Sequence, residues 1–596
     1  MVSDCYTRPE PCFGTFDWLE KPCGSADHTF LFLFWNQSLS WLRKPGLRMS
    51  AQIKRFYGIA HGWIEPNWRV FTSTRQPAIW ILAVVIGFGV AVAAILFRLA
   101  IGAFQWLWLA DASEQVTTAA ARVPWWLILL APAAGGLLVG LVLQYFHPGR
   151  RTGGVADVIE ARVSGTESLG LRAGLRSAVL TALSLGSGAS AGREGPIVHL
   201  GATLASAITR GLGLSETSRR TLLGCGVASA VSASFNAPIA GVLFALEVVL
   251  GHYATTAFVP IVIASVCGTI LSRLWIGDIA AFEIPIYQIT SYLEFPAFFI
   301  LGIVCALVAV IFQFSLITTD YFARRLTVPF FMRPVVGGFL VGAIALSFPQ
   351  VLGVGYEATD QALKQQLPLY LMLALIVAKT AATSITLASR FGGGIFSPAL
   401  YVGAMTGGAF GIIAASAFPE TASSQGLYAI LGMGAVAAAV LGAPISTTMI
   451  VFELTGGYGL TIALLLTVSV AVGLTLAIHG RSHFHWQLEM RGLFVNVGPH
   501  KYLVQKVRVA EFLQPPNPEE DAEFLEDGFR FGDDTRVLSL KDTLENALRT
   551  FDETGQSRIP VVASGKNPSF AGWALEVKAL AYFNEALIDA HVEEHR

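Results

Sequence analysis

The sequence predicts an all-α polytopic membrane protein made of two related halves, with a small α/β module at its C-terminus. Three observations carry that prediction: sparse charge in a long apolar chain, apolar runs of spanning length, and an internal repeat of glycine–proline breaks. Of 596 residues, 54% are hydrophobic and only 14% charged, and the mean hydropathy is +0.58; a soluble protein carries about 25% charge. The formal net charge of −1 is spread over scattered Lys and Arg residues, which speaks against nucleic acid as a partner. The six cysteines show neither CxxC spacing nor paired histidines, so neither a metal site nor a disulfide framework is expected.

Residues 1–76 form an N-terminal extension and a cytoplasmic segment. The run FLFLFW (Phe30–Trp35) is too short for a span. The first 48 residues lack the basic start and small-residue cleavage site of a signal peptide, and Met49 opens a more ordinary polar, basic stretch; the part before it reads as a disordered or mis-assigned extension. Lys54, Arg55, Arg69 and Arg75 precede the first span and fit a cytoplasmic N-terminus.

From residue 77 onward, apolar runs alternate with short polar breaks. Pro77–Ala110 is longer than the roughly 20 residues a span needs, and Asn236–Leu250 is shorter. Uneven lengths imply tilted helices and helices that stop partway. Freed backbone at that depth is tolerated only where it is buried in protein or lines a wet cavity, so glycine-rich breaks mark a substrate site.

The breaks come in pairs. NAPIAGVLFALE ends at Glu247 and GAPISTTMIVFE at Glu453, each Glu nine residues after its Pro; GREGPIVHLG and GGIFSPALYVG each place Gly five residues after Pro, at Pro196/Gly201 and Pro398/Gly403. Two halves follow, residues 77–275 and 276–484, and paired short, broken segments fit an inverted repeat with a midplane site between them. In both Gly-to-Pro breaks the proline suits the first turn of a helix. Each therefore presents unpaired N–H groups and about half a positive charge to a ligand that glycine allows close. The natural guest is a small anion, whose transfer into hydrocarbon costs tens of kcal/mol unless partial charges offset it. For a single motif, helix packing by small residues explains the glycines equally well; the repetition favours the anion.

GREGP (Gly192–Pro196), GGIFSP (Gly393–Pro398), NAPIAGVLFALE and ELTGGYGL (Glu453–Leu460), in that order, resemble the CLC family of chloride channels and chloride/proton antiporters, here a prokaryotic-type member. The resemblance covers about residues 77–480 and implies a homodimer with one anion pathway per subunit. By family spacing the anion-contacting serine loop falls on TGGVADVIEA, where the serine is Gly153; GSGAS (Gly186–Ser190) sits too close to GREGP to be that loop. The resemblance further implies Glu194 as the gating carboxylate, with Gly153, Gly195, Ile395, Phe396 and Tyr458 around the anion. At a helix N-terminus the ionised form of Glu194 is favoured and competes with the permeant anion, so protons act as gate ligands. The family's inner proton-relay glutamate corresponds to Val248, as in channels. Glu247 points about 100° away around the helix, and its repeat twin Glu453 suggests a shared structural role.

Residues 505–596 turn soluble: a Pro- and acid-rich linker leads to an amphipathic helix, a strand within Asp542–Val562 and a closing helix. This resembles a single CBS repeat and places the C-terminus in the cytoplasm. A nucleotide at this module is left open, because no ribose-phosphate signature follows the last strand; no other cofactor is expected. The expected function is selective chloride transport across the cell (inner) membrane, as a glutamate-gated channel, with an antiporter using another proton route as the alternative. A membrane enzyme is the remote reading: Glu194, His199 and Glu247 are intramembrane polar groups, but neither HExxH nor GxSxG is present.

Overall fold

The computed structural model describes residues 51–73, 75–147, 149–164, 169–277, 282, 287, 289–455, 458–493, 504, 507–518, 521–525, 535–563 and 569–595. The chain divides into residues 1–76 and 77–596. In the first unit, helix α1 (Ala51–Ser73) contains Pro66 and exposes Phe56, Trp63 and Trp68.

In the second unit the first half runs α2 (Gln76–Leu109), a short α3 (Val116–Ala120), α4 (Trp125–Phe146), α5 (Val155–Ser164), α6 (Leu171–Gly186), α7 (Glu194–Thr209), α8 (Glu216–Phe235), α9 (Pro238–Phe244) and α10 (Thr255–Ile276). The second half runs α11 (Phe295–Arg325), α12 (Arg333–Ser347), α13 (Tyr356–Leu363), α14 (Leu369–Ala388), α15 (Phe396–Ala417), α16 (Gln425–Leu441), α17 (Pro444–Thr455) and α18 (Tyr458–His479), then a short α19 (His483–Glu489). Among the described residues, eight helical stretches are long and apolar enough to cross a membrane, while Pro238–Leu250 and Gln425–Leu441 are shorter apolar helices. Uneven helix length is thus a property of the fold. Helix α9 continues as a π turn over Ala245–Leu250, the irregularity that ends the run early.

Close backbone crossings and two exchanged carboxylates join the two halves. Helices α4 and α12 cross on small residues: a Cβ on Gly136 would strike the Pro334 carbonyl and one on Gly140 that of Phe331, while Gly338 and Gly342 meet the carbonyls of Pro132 and Leu129. Such crossings hold membrane helices by close backbone packing where no hydrophobic force acts between them. Gly201 and Gly226 do the same between α7 and α8, and Gly403 and Gly432 between α15 and α16. The two glutamates of the repeat are exchanged across the halves. Glu247 accepts from the N–H groups of Ile445 (3.1 Å) and Ser446 (2.7 Å) and from the Ser446 hydroxyl, at the start of α17. Glu453 accepts from Ile239 N–H (2.9 Å) and Ala240 N–H (2.7 Å), at the start of α9. Each carboxylate satisfies donors that a helix cannot satisfy itself.

The C-terminal region forms a four-stranded sheet, ordered β1 (Leu513–Gln514), β4 (Phe570–Leu575), β3 (Arg558–Val562), β2 (Leu538–Ser539), with β2 parallel to β3 and the other pairs antiparallel. Helix α20 (Leu544–Thr554) packs Leu544, Ala547 and Phe551 into a small core with Ile559, Val561 and Ala574, and α21 (Glu576–His595) closes the module.

Candidate functional site

The two glycine breaks meet. Gly192 and Gly394 form an isolated antiparallel bridge, each donating its N–H to the other's carbonyl at 2.7 Å. The bridge brings together the starts of α7, at Glu194, and α15, at Phe396, so two helix dipoles point their positive ends into one region. Glycine is required there sterically: a Cβ on Gly394 would lie 3.2 Å from the Gly195 nitrogen and 3.4 Å from its Cα.

A cavity of about 160 Å³ opens at this junction, and Gly153, Glu194, Gly195, Gly394, Ile395 and Phe396 line it. The Phe396 ring packs against Phe235 (centroids 5.2 Å apart) and Phe244 (6.0 Å), an apolar collar beside the helix ends. Arg151, Arg390 and Arg491 line the same cavity together with Asp157. A neighbouring cavity of about 420 Å³ shares those three arginines and adds Arg150, Arg324 and Arg333 with one further carboxylate, Asp320, which pairs with Arg324 and Arg390. This mouth carries excess positive charge, which focuses anions toward the helix ends. Its principal carboxylate, Asp157, accepts from Arg151 (2.6 Å) and Arg491 (3.0 Å); burial works to raise its pKa, but Arg491 and Arg151 outweigh it and hold the carboxyl below its ordinary range.

The loop at Gly153 differs from expectation. The Gly153 N–H donates to Ser177 Oγ (2.7 Å) and the Gly154 N–H to Asp157 Oδ2 (2.8 Å), so both amides are engaged inside the protein rather than open to an anion. A Cβ on Gly153 would fall on the His199 ring, so the imidazole of α7 fills the space a serine side chain would need. GSGAS serves to end α6: Gly188 adopts φ +99°, Ala189 N–H returns to the Ser184 carbonyl, and none of its residues lines the cavity.

Glu194 is 2% exposed and accepts a hydrogen bond at Oε1 from the Tyr356 hydroxyl (2.5 Å). Its neighbour Arg193 turns elsewhere: the guanidinium pairs with Glu114 (2.5 Å), which also holds Arg98 (2.9 Å), and lies 4.7 Å from the Tyr356 ring centroid. Burial pushes the Glu114 carboxyl up, yet Arg193 and Arg98 outweigh it and hold it below the usual range. Val248 sits half-buried in the π turn after α9 and brings no titratable group. Tyr458 begins α18, and its side chain lies outside the described residues. Helix α19 supplies His483, Phe484 and Gln487 to the cavity. The sequence reading missed these, along with Tyr356 and the arginine mouth; the Ser482-capped turn HFHWQLE was the available signal for α19. Among the described residues, no group of three or more His, Cys, Asp or Glu side chains is arranged to hold a metal ion.

Known proteins share sequence and fold with this chain. The family described as voltage gated chloride channel matches residues 135–476, more than half of the chain. The chain is 33% identical over 389 residues to a ClcB-like chloride channel protein of Ralstonia nicotianae, covering 65% of this chain and 90% of that one. It is 27% identical over 404 residues to the voltage-gated ClC-type chloride channel ClcB of Escherichia coli, covering 67% of this chain and 96% of that protein. The fold matches a slow cyanobacterial Cl⁻/H⁺ antiporter with TM-score 0.63 and 24% identity, over 69% of this chain and 97% of that one. It also matches a eukaryotic CLC transporter with TM-score 0.61 and 18% identity, over 85% and 98%.

Proposed function

The chain belongs to the voltage gated chloride channel family, and from that premise we propose that it carries chloride as a channel gated by Glu194. It is a multi-pass membrane anion transporter or channel, not an enzyme. The observation that carries the gate is the bridge at Gly192 and Gly394, which aims two helix N-termini at a cavity that Glu194 also lines. Chloride entering through the arginine mouth is drawn to those ends and competes there with the ionised carboxylate; protonation of Glu194 removes the competitor. Gly195, Ile395 and Phe396 border the anion, while Gly153 contributes shape rather than a donor. Val248 favours a channel, because an exchanger needs a titratable group at both ends of its proton path.

One observation favours the alternative, a chloride/proton antiporter. His483 is 3% exposed, lines the cavity and leaves Nδ1 without a hydrogen-bond partner, a position from which it could pass protons toward Glu194. The reading extends to a homodimer of inverted repeats in the cell membrane with cytoplasmic termini. The segment 538–595 has the strand–helix–strand–strand–helix order expected of one CBS-like repeat. Chloride efflux from proteoliposomes loaded with the purified protein tests the function: efflux above empty liposomes, altered by Glu194→Gln, is expected, and no efflux from folded protein overturns it.

A further inference from the structure

Tyr356 is the first residue of α13, is 6% exposed, and directs its hydroxyl at Glu194 from an element 162 residues away. Its placement is over-determined. Gly355, just before it, has φ +92°, and a Cβ there would come within 2.8 Å of the Tyr401 ring and 3.1 Å of Lys379 Nζ. Lys379, fully buried on α14, donates to the carbonyls of Val351 and Gly353, both at 3.0 Å, and lies 5.1 Å from the Tyr401 ring centroid. A buried amino group must place its N–H donors on acceptors, and here those bonds fasten the loop that presents Tyr356. The Phe282 ring meets Tyr356 edge-on at 5.1 Å, and Arg193 covers one face.

The carboxylate itself is half satisfied. Oε1 accepts a hydrogen bond from the phenol, and Oε2 is buried without a hydrogen-bond partner. Glu194 therefore takes no N–H from the paired helix ends that would hold an anion; it is held toward α13 instead. Resting on the reading of Glu194 as the gate, we infer that Tyr356 is a latch that stabilises the ionised carboxylate off the anion site and sets how well chloride competes with it. Without the phenol, the N–H groups at the helix N-termini draw the carboxylate back, because Arg193 is engaged by Glu114, and chloride must displace it. The charged and titratable groups facing Glu194 are Tyr356 from α13 and Arg193 from the start of its own helix, with Glu114 and Arg98 behind Arg193 and Lys379 behind the loop.

The test is chloride efflux from proteoliposomes across a range of chloride concentrations, for the wild type, Tyr356→Phe, Glu194→Gln and the double variant. Losing a hydrogen bond to a charged acceptor shifts the balance about tenfold, so Tyr356→Phe is expected to lower flux about tenfold at limiting chloride and to recover at high chloride. In the Glu194→Gln background the same substitution is expected to change flux less than about twofold. Tyr356→Phe indistinguishable from wild type, or equally damaging in both backgrounds, overturns the latch. If Glu194→Gln leaves chloride and pH dependence unchanged, the gate reading itself fails; if Glu194→Gln alters them and Tyr356→Phe does not, only the latch fails. Should the Phe variant not fold, 3,5-difluorotyrosine at position 356 keeps the shape and strengthens the donor. Higher flux at limiting chloride is then expected, and unchanged or lower flux overturns the proposal.

Discussion

Replacing Glu247 by alanine removes the acceptor for two backbone N–H groups at the start of α17 and for the Ser446 hydroxyl. Hydrogen bonds to a charged group are worth about 1.5–3 kcal/mol each. Ser446 is fully buried and its N–H loses that full amount, whereas Ile445 is 49% exposed and its N–H finds another partner more easily. The expected cost is therefore about 2–4 kcal/mol, near one strong bond plus part of a second. Glu453→Ala loses two N–H bonds without a hydroxyl, so it should cost somewhat less. Both pairs brace the same α9–α17 contact, so the double variant should fall short of the sum. At about 2 °C per kcal/mol for a large chain, the midpoint for loss of the monodisperse peak on size exclusion after heating in detergent should drop by at most about 8 °C. Protein that remains folded should conduct chloride at the wild-type rate, because neither carboxylate lines the cavity. Abolished flux with unchanged thermal stability would refute the structural role and put Glu247 on the transport path.

Three further outcomes follow from contacts. Gly394→Val should block flux in folded protein, because its side chain must enter the 3.2–3.5 Å gap beside Gly195 and Pro196; wild-type efflux would remove the paired helix ends as the anion site. Gly153→Ser should destabilise by about 1–3 kcal/mol through collision with His199, and His199→Ala should recover most of it; thermal midpoints of the two single variants and the double variant decide this. Deleting residues 505–596 should leave measurable chloride efflux, because the small core of the C-terminal sheet shares no residue with the transport cavity; complete loss in a monodisperse truncation would make the module essential.

Much of the membrane fold was legible because it is written locally and twice. Pro196 and Pro398 announce helix starts, Glu247 and Glu453 keep the same distance from their prolines, and the uneven apolar runs reappear as helices of uneven length. The role of the two glutamates could be suspected from their symmetry, but their partners could not, since each reaches into the other half. The meeting of the two glycine breaks was legible where backbone makes it, and Gly195, Gly394, Ile395 and Phe396 line one cavity. The rest was illegible, because distant side chains complete it. Tyr356, Glu114 and Lys379 come together around Arg193 and Glu194 through contacts that no sequence periodicity records. Spacing points to Gly153, which lines the cavity, but the engagement of its N–H by Ser177 follows only from three-dimensional packing.

The central claim is that chloride passes a carboxylate gate without obligatory proton exchange. The most direct measurement is the reversal potential of purified protein in planar bilayers or liposomes under opposed chloride and pH gradients. The account predicts a value at the chloride equilibrium potential that a change in the pH gradient does not move, even though pH alters the amplitude through Glu194. A shift toward a fixed chloride-to-proton ratio would contradict it and make the cavity-facing His483 the first residue to test as the inner proton relay.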